Sequence, residues 1–130
     1  MIEVDNVIVE RELNTCYIKL LEGDVLKIEV KPNTEVLLED IKLMVNTAGE
    51  LGNNRKLKNL IIAGAYSSMH AEATLFMKTE EAHRFTEKEA IVITSLAQRI
   101  LGNFYLGIVS QKRPAKLFNS SDKALEWLRK

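Results

Sequence analysis

Four polar side chains that could take part in chemistry lie close together in the sequence: Ser67, Ser68, His70 and Glu72. A serine, a histidine and a carboxylate are the groups of a hydrolytic triad, in which the histidine accepts the serine proton and the carboxylate orients the histidine. Neither serine lies in a G-x-S-x-G motif, and residues this close in sequence rarely converge with triad geometry. We therefore predict a binding site here. A serine-dependent hydrolase that uses Ser68 and His70 is the less favoured alternative.

These side chains occupy a predicted turn between a strand and a helix. Leu60 to Ala63 is an apolar run that is too short for a helix, and it predicts a central strand buried on both faces. Helical spacing begins again at Ala73. Because sites in open α/β sheets lie at the carboxyl ends of such strands, this turn is where we expect function.

The rest of the chain predicts an α/β fold in a single domain of residues 1–130. Two alternating segments joined by a glycine-containing turn indicate an antiparallel hairpin, and helices and strands then alternate, which indicates a mixed, mostly parallel sheet. The predicted strands are Val4–Glu12, Thr15–Leu21, Val25–Val30, Leu57–Ala65, Ala90–Thr94 and Ala115–Phe118. The predicted helices are Leu37–Leu51, Ala71–Phe85, Leu96–Val109 and a last one capped by Ser120 or Ser121.

Composition excludes several classes of protein. The formal net charge is zero, which argues against a nucleic-acid binder. One cysteine and two histidines offer no plausible zinc site, so we expect neither a metal nor a cofactor. No apolar run is long enough to enter a membrane, and the N-terminus lacks the pattern of a signal peptide. We therefore expect a cytoplasmic protein with no membrane insertion.

Three stretches of the sequence carry a resemblance to a known family. They are GDVLKIEVKPN (Gly23–Asn33), SLAQRILGNFYLGI (Ser95–Ile108) and RPAKLFNSSDKALEWL (Arg113–Leu128). With the order of elements, they resemble the STAS fold of anti-sigma-factor antagonists and, more closely, small bacterial STAS-like (SpoIIAA-like) proteins of unknown function. The resemblance implies a non-enzymatic binding or regulatory module. A small-ligand domain for a lipid or a nucleotide is the alternative, because the fold does not choose among ligands.

The resemblance also bears on regulation. In STAS antagonists the central strand leads to an Asp-Ser-Ser-Gly turn, and phosphorylation of its first serine switches partner binding. Laid over this chain, that serine falls at Ala71, which has no hydroxyl. The familiar switch cannot operate at that position, because phosphorylation needs a hydroxyl group. Ser67 and Ser68 lie a few residues earlier and are the displaced alternatives.

The third predicted helix is apolar almost all round. At 100° per residue, the arc predicted to face the sheet consists of Ala97, Ile100, Leu101, Phe104 and Ile108. Tyr105, Leu106 and Val109 then fall on or beside the outer arc. An exposed apolar surface of this kind predicts an interface with a protein partner or with a second copy in a homodimer. Coverage by the last helix, through Trp127 and Leu128, is the alternative.

Overall fold

The computed structural model describes residues 6–110 and 113–130. Its strands are β1 (Val7–Glu12), β2 (Cys16–Leu21), β3 (Val25–Val30), β4 (Glu35–Val36), β5 (Leu57–Ile62), β6 (Ser68–Met69), β7 (Thr86–Val92) and β8 (Ala115–Phe118). Its helices are α1 (Leu38–Leu51), α2 (Ala71–Phe76), α3 (Leu96–Val109) and α4 (Ser121–Leu128), with a short 3₁₀ helix at Glu81–His83. Residues 4 and 5 of the predicted first strand and residues 111 and 112 of the predicted loop lie outside the described residues.

The main sheet has six strands in the order β1-β2-β3-β5-β7-β8. The pairs β1–β2 and β2–β3 are antiparallel, whereas β3–β5, β5–β7 and β7–β8 are parallel. The turn between β2 and β3 takes positive φ at Gly23 (84°) and Asp24 (61°), a conformation that these residue types tolerate. The predicted mixed sheet with an N-terminal antiparallel hairpin is therefore confirmed.

The two faces of this sheet are covered by different helices. Side chains such as Leu60, Ala90 and Val92 pack under Ala124 and Leu128 of α4, and we call this side the α4 face. Helices α1, α2 and α3 lie over the opposite side, which we call the cavity face. Within 6–110 and 113–130, no helix is long and apolar enough to cross a membrane.

A second, two-stranded sheet joins the starts of α1 and α2. Strands β4 and β6 pair in parallel, with Glu35 opposite Ser68 and Val36 opposite Met69. The Ser68 amide donates to the Thr34 carbonyl and the His70 amide to the Val36 carbonyl, both at 2.9 Å. No pattern in the sequence predicted this sheet, because two-residue strands are too short to show a period.

The second predicted helix is too long. The prediction ran from Ala71 to Phe85, but α2 ends at Phe76. The Thr79 hydroxyl donates to the Phe76 carbonyl (2.7 Å) and accepts from the Ala82 amide (3.3 Å), and such local bonds compete with a continuing helix. The chain then turns inward, so His83 is 3% exposed, although we predicted that this segment projects into solvent.

The bounds of α3 are confirmed, but its predicted rotation is wrong. Ile100 and Phe104 were expected to face the sheet, yet their side chains are 63% and 65% exposed. The predicted outward patch at Tyr105, Leu106 and Val109 is also wrong, since Val109 is buried and the other two are half-buried.

Close packing and a buried hydrogen bond explain the rotation of α3. A Cβ at Gly102 would lie 2.9 Å from Leu117 Cδ2, so glycine allows the helix to approach β8 closely. The Tyr105 hydroxyl donates to the buried Glu89 carboxylate at 3.0 Å. These contacts turn the small and polar side of α3 inward and leave its largest apolar arc exposed, so amphipathic spacing did not predict the orientation.

Candidate functional site

A cavity of about 310 Å³ lies between the cavity face of the sheet and helices α1, α2 and α3. Its walls are mostly apolar and include Leu26, Ile28, Ile61, Ile91, Met44 and Ile108. This volume is at the lower end of the range of roughly 300–1,000 Å³ that is usual for small-molecule sites. We call this space the cavity.

The cavity opens beside α3. Leu101 and Phe104 line it and are 54% and 65% exposed, so they lie where its wall meets solvent. Ser68 lines it from the opposite segment and is also exposed. The opening is therefore bordered by apolar side chains on one side and by a serine on the other.

Polar side chains are grouped in one part of the cavity wall, which we call the polar end. Glu89 on β7 is 1% exposed and is the register partner of Asn59 on β5. Tyr105 donates to Glu89 Oε1 at 3.0 Å, and His83 Nδ1 lies 3.5 Å from Glu89 Oε2. The Asn59 amide donates to the Thr86 hydroxyl at 3.2 Å. All five side chains line the cavity.

The hydrogen bond of His83 determines which of its ring nitrogens carries the proton. His83 Nε2 lies 2.8 Å from the Met77 carbonyl, and a carbonyl only accepts, so Nε2 carries the hydrogen. Burial lowers the pKa of His83, which favours the neutral ring. Nδ1 of the neutral ring then presents a lone pair to Glu89 Oε2. Two acceptors that face each other need a proton between them.

Glu89 can supply that proton. Burial raises the pKa of Glu89 from 4.5 to about 7, against the smaller lowering effects of the Tyr105 hydrogen bond and the Arg113 charge. Near neutral pH, part of the population is protonated and can donate from Oε2 to His83. When Glu89 is ionised, Glu89 Oε2 has no hydrogen-bond donor among the described residues, and neither does Asn59 Oδ1; a buried polar atom without a partner costs stability.

The four residues singled out in the sequence divide into two pairs. Ser67 and Ser68 line the cavity, and the Ser67 hydroxyl donates to the Gly64 carbonyl at 2.7 Å. His70 caps α2, because its Nδ1 accepts from the Glu72 amide at 3.2 Å. In the part of the chain that the structure describes, no hydrogen bond joins Ser68 to His70. The groups of the alternative hydrolase are therefore not assembled as a triad.

Ala71, the position of the expected phosphoacceptor, is the exposed first residue of α2. Its side chain is a methyl group, which has no hydroxyl that a kinase could phosphorylate. The absence of the familiar switch stays a prediction. Across residues 6–110 and 113–130, no three His, Cys, Asp or Glu side chains are grouped so that they could hold a metal ion.

Sequence reasoning missed the polar end, although part of its signal was present. Asn59 precedes Ile61 by two residues and Glu89 precedes Ile91 by two, so each polar residue shares a strand face with an apolar one. A polar side chain on a face expected to be buried is the informative exception. The position of His83 had no such signal, because it depends on where α2 ends.

Comparison with known proteins establishes the fold and the family. The structure is similar to that of an uncharacterized protein of the DUF3478 family, with a SpoIIAA-like fold, from Shewanella loihica PV-4. The TM-score is 0.59 with 12% sequence identity over 98% of each chain, which confirms the predicted SpoIIAA-like fold. No curated protein sequence matches this chain. The model of a domain of unknown function, DUF7793, matches residues 18–130, and the chain therefore belongs to the DUF7793 family.

Proposed function

We propose that this protein is a non-enzymatic module that binds a small apolar ligand in the cavity. The observation that carries the proposal is a preformed space of about 310 Å³ with apolar walls and an opening beside α3. Apolar walls favour an apolar ligand, because its burial removes apolar surface from water and adds van der Waals contacts with the wall. Binding of a ligand of matching shape would therefore be favourable.

The polar groups near the opening support binding rather than catalysis. The Ser67 hydroxyl is engaged with the Gly64 carbonyl, and the His70 ring caps α2. A nucleophilic serine would need a base within hydrogen-bond reach. We therefore propose that Ser67 and Ser68 take part in ligand binding at the rim of the cavity. We assign no catalytic role to His70 or Glu72.

Nile red, a neutral dye that fluoresces in apolar surroundings, tests the proposal. We expect wild type to bind it with a blue-shifted emission. Ala63→Phe places a ring in the cavity, where Ala63 is part of the wall, and should weaken dye binding about tenfold or more. Ala71→Phe is the matched control, since Ala71 is exposed on α2, and should bind as wild type does. Dye binding that is absent in wild type, or equal in both variants, contradicts the proposal.

A second candidate function is self-association through α3. Leu96, Ile100 and Phe104 are 74%, 63% and 65% exposed, and we call them the α3 arc. Large apolar side chains grouped on one helix usually mark an interaction surface. A second copy related by two-fold symmetry is the simplest partner, because the same surface then covers itself.

Light scattering at about 50 micromolar tests self-association. We expect a wild-type dimer and a monomeric Ile100→Glu variant, since a charge in an apolar interface is costly. Ile100 does not line the cavity, so its loss should leave dye binding unchanged. Arg99→Glu, a larger charge change at an exposed polar position on the same helix, is the control and should stay dimeric. A wild-type monomer, or a dimer unaffected by Ile100→Glu, contradicts this candidate.

A further inference from the structure

The polar end of the cavity offers hydrogen-bond acceptors that lack donors. When Glu89 is ionised, neither Glu89 Oε2 nor Asn59 Oδ1 has a hydrogen-bond donor among the described residues. His83 Nδ1 carries a lone pair, because Nε2 holds the hydrogen that bonds to Met77. Asn59 and Glu89 are register partners on neighbouring strands, and His83 Nδ1 lies 3.5 Å from Glu89 Oε2. Three acceptors on adjacent side chains therefore border one apolar space.

Within residues 6–110 and 113–130, Glu89 has no ion-pair partner with a permanent positive charge. The polar or charged groups that face it are Tyr105 from α3, His83 from the 3₁₀ helix, Asn59 from β5 and Arg113 from the segment before β8. The Arg113 guanidinium is engaged with Glu80 at 3.2 Å and acts on Glu89 only through its charge. Among the described residues, no lysine or arginine forms an ion pair with Glu89. The described side chains therefore present acceptors, and in the ionised form of Glu89 a negative charge, to the cavity.

We propose that the polar head of the ligand is a primary ammonium group, held by Glu89 with Asn59 and His83 as its other acceptors. The alkyl or ring part of the same molecule fills the apolar remainder of the cavity. This inference rests on the proposed function, because it names the chemical class of ligand that the cavity takes.

The number of donors distinguishes an ammonium group from other heads. An ammonium carries three N–H donors and no acceptor, so it can satisfy all three side chains. A hydroxyl brings one donor and leaves two acceptors unpaired. A carboxylate brings none, and its charge would face that of Glu89. The buried carboxylate also gains a counter-charge, without which a buried ion is very unfavourable.

Ammonium binding requires that a proton leave the site. Without ligand, Glu89 holds a proton below about pH 7, and this proton lies on the side of His83 Nδ1. When R–NH₃⁺ enters, Glu89 releases this proton to solvent and forms the ion pair, and no covalent bond other than the O–H bond changes. Because burial raises the pKa of Glu89 to about 7, the release approaches one proton below that pH and vanishes above it. Affinity for the amine should therefore rise with pH and then level off.

Isothermal titration calorimetry with octylamine, 1-octanol and octanoate tests the head group. At about pH 8 we expect octylamine to bind about tenfold more tightly than octanol, and octanoate to bind most weakly. At about pH 6, titration in buffers of different ionisation enthalpy should show proton release with octylamine but not with octanol.

Two variants sharpen this test. Glu89→Gln keeps the size of the side chain but cannot carry the charge, so it should lose at least about tenfold in octylamine affinity and retain octanol binding. Glu87→Gln removes a carboxylate from the exposed side of the same strand and should bind as wild type does. If Glu89→Gln does not fold, the three-ligand comparison and the proton release of wild type still decide.

The outcomes separate the two proposals. If Nile red and octanol bind but octylamine shows no preference or no proton release, the ammonium assignment is overturned and the cavity proposal stands. If neither Nile red nor any octyl compound binds, the cavity proposal fails and the head-group assignment fails with it.

Discussion

The two faces of the central sheet are built from the same strands but are filled in different ways. On the α4 face, Leu60 and Ala90 are at most 1% exposed and pack under Leu128, which is fully buried. On the cavity face, their chain neighbours Asn59 and Glu89 border an open space. Alternation along a strand thus lets one pair of strands serve two purposes, with close packing on one side and a polar pocket on the other.

An average side chain on the α4 face should contribute more to the free energy of unfolding than one on the cavity face. Leu128→Ala should lower the free energy of unfolding by about 3 kcal/mol, because a fully buried leucine leaves a void. Met44→Ala on the cavity face should cost about 1.5 kcal/mol or less, since Met44 is half-buried and lines the cavity rather than a closely packed core. Urea denaturation of both variants measures the difference. Equal losses would mean that the cavity is closed by repacking in solution.

The polar end should make stability depend on pH in a way that the α4 face does not. The pKa of Glu89 is about 7 in the folded protein against an ordinary 4.5. Between these values the folded state holds a proton that the unfolded state has lost, so this group destabilises the fold as pH rises. The full effect is on the order of 3 kcal/mol above neutrality. The lowered pKa of His83 acts in the opposite direction at acidic pH.

Glu89→Gln isolates this contribution, because it keeps His83 and removes the ionisable group. We expect Glu89→Gln to be more stable than wild type at about pH 8, by on the order of 2 kcal/mol, and nearly equal to it at about pH 4.5. Glu87→Gln is exposed on the same strand and should follow wild type at both values. Thermal melts across the pH range measure the gap. A gap that does not widen as pH rises would show that Glu89 ionises normally.

Local patterns predicted the fold well. The β2–β3 hairpin, α1, α3, β8 and α4 lie where alternation, helical spacing and capping serines placed them. Ser95 and Ser120 accept from the amides of Gln98 and Lys123, as expected of N-caps. These elements depend on residues that are near each other in sequence, which is why the sequence alone was sufficient.

The candidate site depended on contacts that local patterns do not contain. Ser67 and Ser68 of the predicted turn line the cavity, although Ser68 is part of β6, and their role in binding stays a prediction. The polar end, however, is completed by His83, which the early end of α2 brings inside, and by Tyr105, which the rotation of α3 turns inward. Both were expected to face solvent. Of the side chains at the polar end, only Asn59 and Glu89 lie where strand alternation could have predicted a polar group among apolar ones.

The small β4–β6 sheet has a mechanical consequence for the cavity. Its backbone bonds, from Ser68 to Thr34 and from His70 to Val36, lie just before α1 and α2, and the Asn33 amide adds a bond to the Ala65 carbonyl. Backbone hydrogen bonds therefore join helices α1 and α2 at their starts, and we expect the two helices to move as one rigid body. The start of α3 is tied to this region by one side-chain bond, from Gln98 to the Gly64 carbonyl. A widening of the cavity would therefore separate the start of α3 from α1 and α2, while α1 and α2 stay joined to each other.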